Sequence, residues 1–416
     1  MDLLVKEYLR THSFQELEDE FGVTARRASE DAFTKFSLNY DSILCEELRR
    51  KGLTSNPIAE QCRGLIVRPS RGLLGEKWKD ARVGDVEVVA WPMNRFYNFG
   101  DPAAVEINWS DPGLRVYEKV DGTCIILYWD AVANKWHAAT RSVPEANLPI
   151  NAGHLEIKDM TFSQLFLNAL ILTRQELSGK QVDWEVDGPD KVIHLNKEMT
   201  YVFELVSLYN QIVVVYPKPR VYLLAARHTA TGKEVPIETL RIEHVRRPKT
   251  WSIRSVAELA EFVDSASPSE LEGAVVCDSK FGRMKIKNKS YVLAHKSKDT
   301  VMSSSRNALE CVILEKVDDI VPLVPQEVVD RLMNLQHAYF TYCKSIDDRF
   351  EEFHAEAAGN RKRFAELVSL AGGHMSPFFV LWEKKAKNAR DMFATMGAKG
   401  KLSSSALDTI LSNLVL

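Results

Sequence analysis

The segment Glu118-Lys119-Val120-Asp121-Gly122-Thr123, continued by Cys124-Ile125-Ile126-Leu127-Tyr128-Trp129, decides the fold of this chain. The apolar run has the composition of a buried strand. Asp121 and Gly122 form the turn before it, because glycine tolerates backbone angles that other residues avoid. A strand of this kind carries Lys119 to the wall of a cleft, where a lysine acts as a phosphate-binding cation or a nucleophile. Taken alone, Lys-x-Asp-Gly is also typical of an ordinary hairpin turn.

The composition is that of a globular protein with more than one domain. The 416 residues are 45% hydrophobic and 27% charged, and no apolar run is long enough to span a membrane. The six cysteines form no Cys-x-x-Cys pair and the ten histidines no metal-ligand pairs, which predicts reduced thiols in a cytoplasmic or nuclear setting and no zinc site. The net charge of −3 excludes a polycation, so nucleic acid would need a local basic groove.

Three segments of different character follow one another along the chain. Residues 1–35 have helical spacing and predict one or two helices that cover a sheet. Residues 36–295 contain short β-type runs, among them 200–206, 212–216, 221–225, 273–277 and 283–287, with helices over 161–177 and 255–265. After a polar linker, amphipathic helices are predicted over 306–317, 326–357, 360–370, 377–396 and 403–414. The pattern predicts an α+β domain with antiparallel sheets (1–300) and an all-α C-terminal domain (301–416).

Charged residues recur at the ends or on one face of the predicted strands. They lie in Cys62-Arg63-Gly64-Leu65-Ile66-Val67, Trp91-Pro92-Met93-Asn94-Arg95-Phe96-Tyr97-Asn98, Thr200-Tyr201-Val202-Phe203-Glu204-Leu205-Val206, Leu271-Glu272-Gly273-Ala274-Val275-Val276 and Arg283-Met284-Lys285-Ile286-Lys287-Asn288. Strand alternation places Glu204 among apolar neighbours, where it needs a metal, a ligand hydroxyl or a structural salt bridge. Arg283, Lys285 and Lys287 share one strand face, so they either bind an anion or lie on a solvated edge strand. Taken alone, the segment from Cys62 to Val67 would be a core strand preceded by a surface arginine. The segment from Trp91 to Asn98 would be a loop whose aromatic side chains serve only packing.

The order of these segments resembles the motif series of covalent nucleotidyltransferases, the superfamily of polynucleotide ligases and mRNA capping enzymes. The resemblance covers residues 36–295. Within the superfamily the chain is most similar to type-1 RNA ligases of the T-even phage kind, which reseal broken tRNA. That similarity rests on Phe36-Ser37-Leu38-Asn39-Tyr40, Pro92 to Asn98, Phe203-Glu204-Leu205-Val206 with Asn210-Gln211-Ile212-Val213, and Phe281 to Lys287 with Ser290-Tyr291-Val292-Leu293-Ala294-His295. The predicted helical C-terminal domain also fits, because DNA ligases and capping enzymes continue into a β-barrel OB domain.

Some positions depart from the pattern of that family. Arg95 and the segment Thr140-Arg141-Ser142 stand where the family usually has a lysine, which keeps the charge but alters donor geometry. Thr123-Cys124 is slightly similar to the end of the same motif in fungal and plant tRNA ligases. The end chemistry of the substrate therefore stays open.

The resemblance implies an ATP-dependent RNA ligase that joins 3′-hydroxyl and 5′-phosphate ends. Lys119 would attack the α-phosphorus of ATP to form lysyl-AMP, AMP would pass to the 5′-phosphate of RNA, and the 3′-hydroxyl would then displace AMP. The implied cofactors are ATP and Mg²⁺, or Mn²⁺ in its place. Nearby cations and the metal are expected to lower the pKa of Lys119 and make it nucleophilic.

The remaining roles are likewise implied by the resemblance. Lys285 and Lys287 are assigned to the α-phosphate, Arg63 and Arg95 to the triphosphate and leaving pyrophosphate, and Arg141 to a further phosphate contact. The other ATP-binding residues are Glu118, Asp121, Gly122 and Val275, with Val275 against the adenine and the backbone of 116–118 at its edge. Glu204, Glu272 and Asp318 are assigned to the metal.

The implied substrate is RNA, specifically a tRNA with a broken anticodon loop, in tRNA repair or splicing. The sequence contains no Gly-x-x-x-x-Gly-Lys-Ser/Thr segment, which predicts a separate end-healing kinase/phosphatase as partner. The basic clusters Arg361-Lys362-Arg363 and Lys384-Lys385-Lys387-Arg390 either follow a tRNA backbone or are solvated helix faces. Two alternatives stay open: an mRNA-capping guanylyltransferase that uses GTP, and a non-catalytic RNA-binding protein on the same fold.

Overall fold

Two compact units make up the chain, Met1–Lys289 and Ser290–Leu416. The computed structural model describes residues 3–28, 34–41, 44–45, 48, 57–73, 75, 77–147, 150, 160–183, 185–186, 188–292, 304–314, 317, 326–371, 375–398 and 402–414. The first unit combines three sheets with short helices, and the described elements of the second are all helices. The predicted fold class is thus confirmed, while the boundary at residue 300 and the domain roles stay predictions.

The elements of the first unit follow the predicted alternation of short strands and a few helices. In chain order they are α1 (Leu4–Leu9), α2 (Phe14–Phe21), β1 (Val23–Arg27), β2 (Phe36–Tyr40), α3 (Pro57–Gln61), β3 (Arg63–Pro69), β4 (Val86–Ala90), β5 (Tyr97–Asn98), β6 (Arg115–Glu118), β7 (Thr123–Asp130), β8 (Lys135–Ala139), α4 (Phe162–Ser178), β9 (Met199–Val206), β10 (Arg220–His228), β11 (Glu234–Val235), β12 (Thr250–Trp251), α5 (Val256–Ser265), β13 (Gly273–Cys277) and β14 (Arg283–Lys287).

The first sheet has the order β1-β2-β3-β4 and is antiparallel throughout. Helices α1 and α2 pack on it, and Phe14 and Leu17 of α2 share a core with Phe36 and Leu65 of the strands. Ser13 starts α2 with a capping box, which satisfies two otherwise unpaired amides. The N-terminal helices therefore cover a sheet as predicted, although the segment also contains the unpredicted strand β1.

The second and third sheets carry the Lys119 segment and the charged strands. The second sheet has the antiparallel order β11-β10-β9-β7-β8, and Phe203 on one face packs against Phe166 of α4. The third sheet has the order β12-β6-β13-β14-β5, in which only the pair β14–β5 is parallel. Its apolar face, which includes Val276 and Ile286, packs against Leu259 of α5. Each sheet thus has one apolar face that packs against a helix.

Three expectations about local structure are wrong. Strand β14 lies between β13 and β5, so its cations are not on a solvated edge. The apolar run 212–216 is a loop, because the carboxylate of Asp121 engages the amides of Val213 and Val214 in place of a neighbouring strand. The predicted helix 377–396 is two helices, and Lys384 between them has a positive φ of 52°.

The second unit has its own hydrophobic core. Its helices are α6 (Ser305–Ile313), α7 (Gln326–Ala357), α8 (Arg361–Ala371), α9 (Ser376–Trp382), α10 (Ala389–Ala398) and α11 (Ser404–Ser412). The core joins Leu309 of α6, Leu332 and Tyr339 of α7, Phe364 of α8 and Phe393 of α10. No helix in the part of the chain that the structure describes is long and apolar enough to cross a membrane. All six cysteines are free thiols.

Three of the seven basic residues in the two clusters of the second unit pair with neighbouring acids. Arg361 pairs with Glu383 at 3.3 Å, and Arg363 pairs with Glu356 at 2.6 Å. Lys385 also contacts Glu383, at 2.5 Å. These exposed pairs favour solvated helix faces at those three positions, and they contribute little to stability.

Candidate active site

Lys119 lies where the chain crosses from the third sheet to the second. Strand β6 ends at Glu118, and the Lys119 amide donates to the Gly273 carbonyl at 2.9 Å, which extends the β6–β13 ladder by one residue. The turn over 120–122 then leads directly into β7. A Cβ on Gly122 would lie 2.3 Å from the Leu205 carbonyl oxygen, and the φ of Gly122 is not positive. Glycine is therefore required at position 122 because the turn packs closely on β9. The sequence analysis predicted an unusual backbone angle as the reason for this glycine, and that prediction is wrong.

Asp121 anchors this turn to the loop that follows β9. Its buried Oδ2 accepts the amides of Val213 at 3.0 Å and Val214 at 2.8 Å. The hydrogen bonds from these two amides are charge-assisted, because their acceptor is a carboxylate oxygen, and such bonds are stronger than bonds to a neutral acceptor. The contacts give Asp121 a structural role, and its contact with ATP stays a prediction.

A buried carboxylate joins the candidate nucleophile to one of the two predicted phosphate lysines. Glu272, which is 4% exposed, accepts Lys119 Nζ at 2.6 Å on Oε2 and Lys287 Nζ at 2.8 Å on Oε1. The register explains this, because Gly273 pairs with Lys287 and bonds to the Lys119 amide. Burial would raise the pKa of Glu272, but the two ammonium groups keep that pKa below its ordinary value.

The pKa of Lys119 is shifted in the direction opposite to the expected one. Burial would lower the pKa of its ammonium, but the carboxylates of Glu272 and Glu204 outweigh burial and raise the pKa above its ordinary value. The expectation counted the surrounding cations and missed the direct Glu272 contact. Lys119 is thus held as an ammonium, and a reaction that uses it as a nucleophile must first remove a proton.

Lys285 and Arg63 are cations without a carboxylate partner among the described residues. Both lie against the ring of Phe96, at 5.3 Å for Lys285 and 5.6 Å for Arg63. Arg63 also donates from Nη1 to Cys124 Sγ at 3.6 Å. Burial and the nearby charges of Lys119, Lys287 and Arg63 lower the pKa of Lys285 to about 8. A bound phosphate group would stabilise such a cluster of cations, because its negative charge supplies the compensation that the protein lacks there.

Glu204 faces this cluster from β9. It pairs in register with Cys124 of β7 and is 8% exposed. Within the described part of the chain it forms no hydrogen bond or ion pair, so the alternative of a structural salt bridge is not found. Burial, reinforced by the charge of Glu272 and only partly offset by Lys119 and Arg63, raises its pKa to about 7. A nearly buried carboxylate without a partner indicates that a ligand, a metal or a metal-bound water completes this position.

Two of the predicted phosphate-binding arginines differ in their surroundings. The Arg95 guanidinium lies over the rings of Tyr40 at 4.1 Å and Tyr97 at 4.8 Å. The Arg141 side chain is exposed, and its backbone packs against Gly64, where a Cβ would lie 2.9 Å from Arg141 Cα. The structure thus brings Arg141 next to the β3 segment that starts at Arg63, while Arg95 is held by aromatic rings.

The predicted adenine contacts lie on the third sheet. Val275 pairs with Lys285 on one side and with Tyr117 on the other, so it shares the cationic face of that sheet and is half-buried. The Glu118 carboxylate accepts the Lys249 amide at 3.4 Å. An adenine on Val275 would therefore lie beside the lysines, and this assignment stays a prediction.

The sequence assigns metal binding to three carboxylates, Glu204, Glu272 and Asp318. The described residues contain no group of three or more His, Cys, Asp or Glu side chains that could hold a metal, and Asp318 lies outside the described residues. Both oxygens of Glu272 contact lysines. Glu204 fits a hard cation best, because its carboxylate has no other partner within the described chain.

A buried arginine next to the site, Arg227, was missed by the sequence reasoning. Glu234 of β11 binds both Arg227 of β10, at 3.1 Å, and Arg283 of β14. Arg283 is therefore compensated, unlike Lys285 two residues later on the same strand face. The signal was present as a single arginine in the apolar run Leu223-Leu224-Ala225-Ala226-Arg227.

Comparison with known proteins confirms the resemblance to RNA ligases. No family model matches the chain. A putative bifunctional polynucleotide kinase/RNA ligase of Autographa californica nuclear polyhedrosis virus is 28% identical over 333 residues, which is 78% of this chain and 42% of that protein. An RNA ligase of Rhodothermus phage RM378 is 22% identical over 370 residues, 73% of this chain and 77% of that protein. The chain thus spans less than half the length of the baculovirus relative.

Solved structures give a more distant likeness. An archaeal ATP-dependent RNA ligase is 13% identical with a TM-score of 0.35 and covers 85% of this chain, with 78% of its own chain matched. A putative ATP-dependent DNA ligase from Aquifex aeolicus is 11% identical with a TM-score of 0.37, over 88% of this chain and 76% of its own.

Proposed function

We propose that this chain is an ATP-dependent RNA ligase that joins 3′-hydroxyl and 5′-phosphate ends through lysyl-AMP and RNA-adenylate intermediates. The observation that carries the proposal is the charge pattern around Lys119. Glu272 compensates Lys119 and Lys287, while Lys285 and Arg63 face the same cluster with no carboxylate partner among the described residues. A nucleotide phosphate would complete this pattern beside a lysine.

In the first step, the Lys119 ammonium passes a proton to Glu272, and the free amine attacks the α-phosphorus of ATP. The P–N bond forms with loss of a second N–H proton to solvent, and pyrophosphate leaves with the electrons of the broken P–O bond. Glu272 is the carboxylate within hydrogen-bond reach of the ammonium proton, at 2.6 Å. Lys285 and Lys287 stabilise charge on the α-phosphate, Arg63 and Arg95 serve the triphosphate and the leaving pyrophosphate, and Arg141 makes a further phosphate contact. Glu204 would hold Mg²⁺ or Mn²⁺, which supplies neutralisation of phosphate charge when bound.

The substrate that we propose is RNA, namely a tRNA with a broken anticodon loop in tRNA repair or splicing inside the cell. The names of both curated relatives include RNA ligase, and the baculovirus protein is named a polynucleotide kinase as well. We therefore propose that a separate kinase/phosphatase prepares the RNA ends for this chain. We further propose that the helical unit determines which RNA the protein joins.

The decisive experiment measures covalent labelling. The protein is incubated with α-labelled ATP and Mg²⁺, denatured, and tested for retained label, with Lys119→Ala as the loss variant. Lys191→Ala is the matched control, because Lys191 is an exposed lysine of the same unit. We expect label on the native and control proteins and none on Lys119→Ala, and a parallel reaction with GTP tests the capping alternative. Label that survives Lys119→Ala, or no label at all, contradicts the proposal.

The role of the helical unit needs a separate test. Each unit has a core of its own, so a chain that ends at residue 300 keeps the core of the first unit. We expect this chain to retain labelling by ATP and to lose joining of nicked tRNA more than joining of linear RNA. An unchanged ratio of tRNA to linear RNA joining contradicts the assignment.

A further inference from the structure

A basic cavity of about 490 Å³ adjoins the candidate active site in the first unit. Its volume lies in the range of nucleotide-sized and drug-sized ligand pockets. Five cationic residues line it: Arg95, Arg227, Lys233, Lys280 and Arg283. Two carboxylate residues, Glu60 and Glu234, also line it, which leaves an excess of three positive charges. The aromatic residues Phe96, Tyr97 and Phe281 complete the wall. Cations interleaved with aromatic rings are typical of sites for single-stranded nucleic acid.

A buried donor in this wall lacks an acceptor. Arg227 is only 5% exposed, and its Nη1 donates to Pro92 O and Asn94 Oδ1, both at 2.9 Å, while Nη2 donates to Glu234 at 3.1 Å. Its Nε is buried and has no hydrogen-bond partner within the described chain. Because this Nε has no accessible surface and the other donors of Arg227 bond to Pro92, Asn94 and Glu234, Arg227 contributes positive charge to the cavity wall rather than a free hydrogen-bond donor.

The two exposed lysines of the cavity have no carboxylate partner among the described residues. Lys233 and Lys280 form no ion pair with any described residue, and both side chains are exposed. Glu234 is already shared by Arg227 and Arg283. A phosphate that enters the cavity would therefore meet donors that no carboxylate occupies.

The cavity lies next to the site around Lys119. Arg283, in the cavity wall, and Lys285, in the candidate active site, lie two residues apart on one face of β14, about 7 Å along the strand. The ring of Phe96 lines the cavity and also contacts Lys285 and Arg63. A strand whose 5′-terminal phosphate lies in the cavity is thus close to the reacting centre.

We propose that this cavity binds the 5′-phosphorylated end of the RNA strand that receives AMP. Phosphate oxygens of that end contact Lys233 and Lys280, and a base lies against the aromatic wall near Phe281. The inference rests on the proposed ligase function and adds the place where the donor strand is held. The triphosphate tail of ATP has the same chemistry, and the test separates the two sources.

The test uses the double variant Lys233→Ala/Lys280→Ala in the full chain, with Lys191→Ala as the matched exposed-lysine control. Enzyme carrying labelled AMP is isolated, and transfer of AMP to a 5′-phosphorylated oligoribonucleotide is followed in a single turnover at increasing RNA concentration. We expect the half-saturating RNA concentration to rise about tenfold in the double variant, from the loss of two charge-assisted contacts, and to stay unchanged in the control. The salt dependence of RNA binding should lose about 1.4 in its logarithmic slope, because two phosphate contacts disappear.

Binding without catalysis gives an independent measurement. The Lys119→Ala protein should bind the 5′-phosphorylated oligoribonucleotide more tightly than its 5′-hydroxyl counterpart, and the two cavity substitutions should remove most of that difference. A difference that persists overturns the proposal. A double variant that needs more ATP for labelling, with unchanged RNA saturation, also overturns it and assigns the cavity to ATP. Absence of label on native protein refutes the ligase function instead, and this binding measurement still tests the cavity.

Discussion

Removal of the Asp121 carboxylate separates its structural role from its predicted contact with ATP. In Asp121→Ala, the amides of Val213 and Val214 lose the acceptor that lies 3.0 and 2.8 Å away. Hydrogen bonds to a charged group contribute about 1.5–3 kcal/mol each, so the pair predicts a loss of about 3–6 kcal/mol in unfolding free energy. This loss is large compared with the marginal stability of a domain.

Asp121→Asn is the matched variant, because both amides bond to a single oxygen, Oδ2, and a carboxamide oxygen can occupy that position. A neutral acceptor is about half as strong as a charged one, which predicts a loss of about 1.5–3 kcal/mol. The order of stability should therefore be native, Asn variant, Ala variant. Urea unfolding followed by tryptophan fluorescence measures these differences.

Covalent labelling of Lys119, at a temperature where all three proteins are folded, gives the functional half of the test. If Asp121 acts only by anchoring the turn, labelling should decline in the same order as stability. An Ala variant as stable as the native protein would refute the anchoring argument. An Asn variant that is stable but unlabelled would show instead that the carboxylate itself takes part in the ATP reaction.

Three further substitutions test other parts of the first unit. Asp130 is buried between Lys35 at 2.8 Å and Arg68 at 2.7 Å, so Asp130→Ala should cost about 3–5 kcal/mol in urea unfolding, and a loss below about 1 kcal/mol would contradict the buried network. Burial and the Lys35 charge lower the pKa of His137 to about 4. When the pH falls below the ordinary histidine pKa, the unfolded chain therefore binds a proton at His137 that the native protein does not bind. Relative to His137→Asn, the native protein should therefore lose about 2 kcal/mol of stability between pH 7 and pH 5, and parallel pH profiles would refute this. Gly122→Ala should cost about 1–3 kcal/mol by overpacking and reduce Lys119 labelling, whereas native-like labelling and stability would show that the turn can move.

Strand periodicity accounts for the placement of charged side chains on strand faces, which the sequence predicts correctly. Because successive side chains alternate between faces, the segments themselves place Glu204 opposite Phe203, and Arg283 on the same face as Lys285 and Lys287. The apolar residues between them, such as Ile286, identify the face that packs on a helix. Local pattern is sufficient here, since each strand is long enough to show its period.

Contacts between distant segments account for the errors. The run 212–216 has the composition of a strand, but its amides are engaged by Asp121, about ninety residues earlier in the chain. The pKa of Lys119 depends on Glu272, which the sequence places 153 positions away. The reason for Gly122 likewise lies in a carbonyl of β9. No local pattern records such pairings.

The distribution of compensated and uncompensated charge separates the functions of neighbouring lysines. Lys287 and Lys119 share one buried carboxylate, so each ammonium has a carboxylate partner before any ligand binds. Lys285 has no carboxylate partner among the described residues, and its pKa is lowered to about 8, so its ammonium is destabilised until an anion arrives. Phosphate binding would therefore stabilise the charge on Lys285 most, and would leave Glu272 in place to accept the hydrogen bond of Lys119. On this argument, Lys285→Met should weaken nucleotide binding, whereas Glu272→Gln should slow the attack of Lys119 on nucleotide that is already bound.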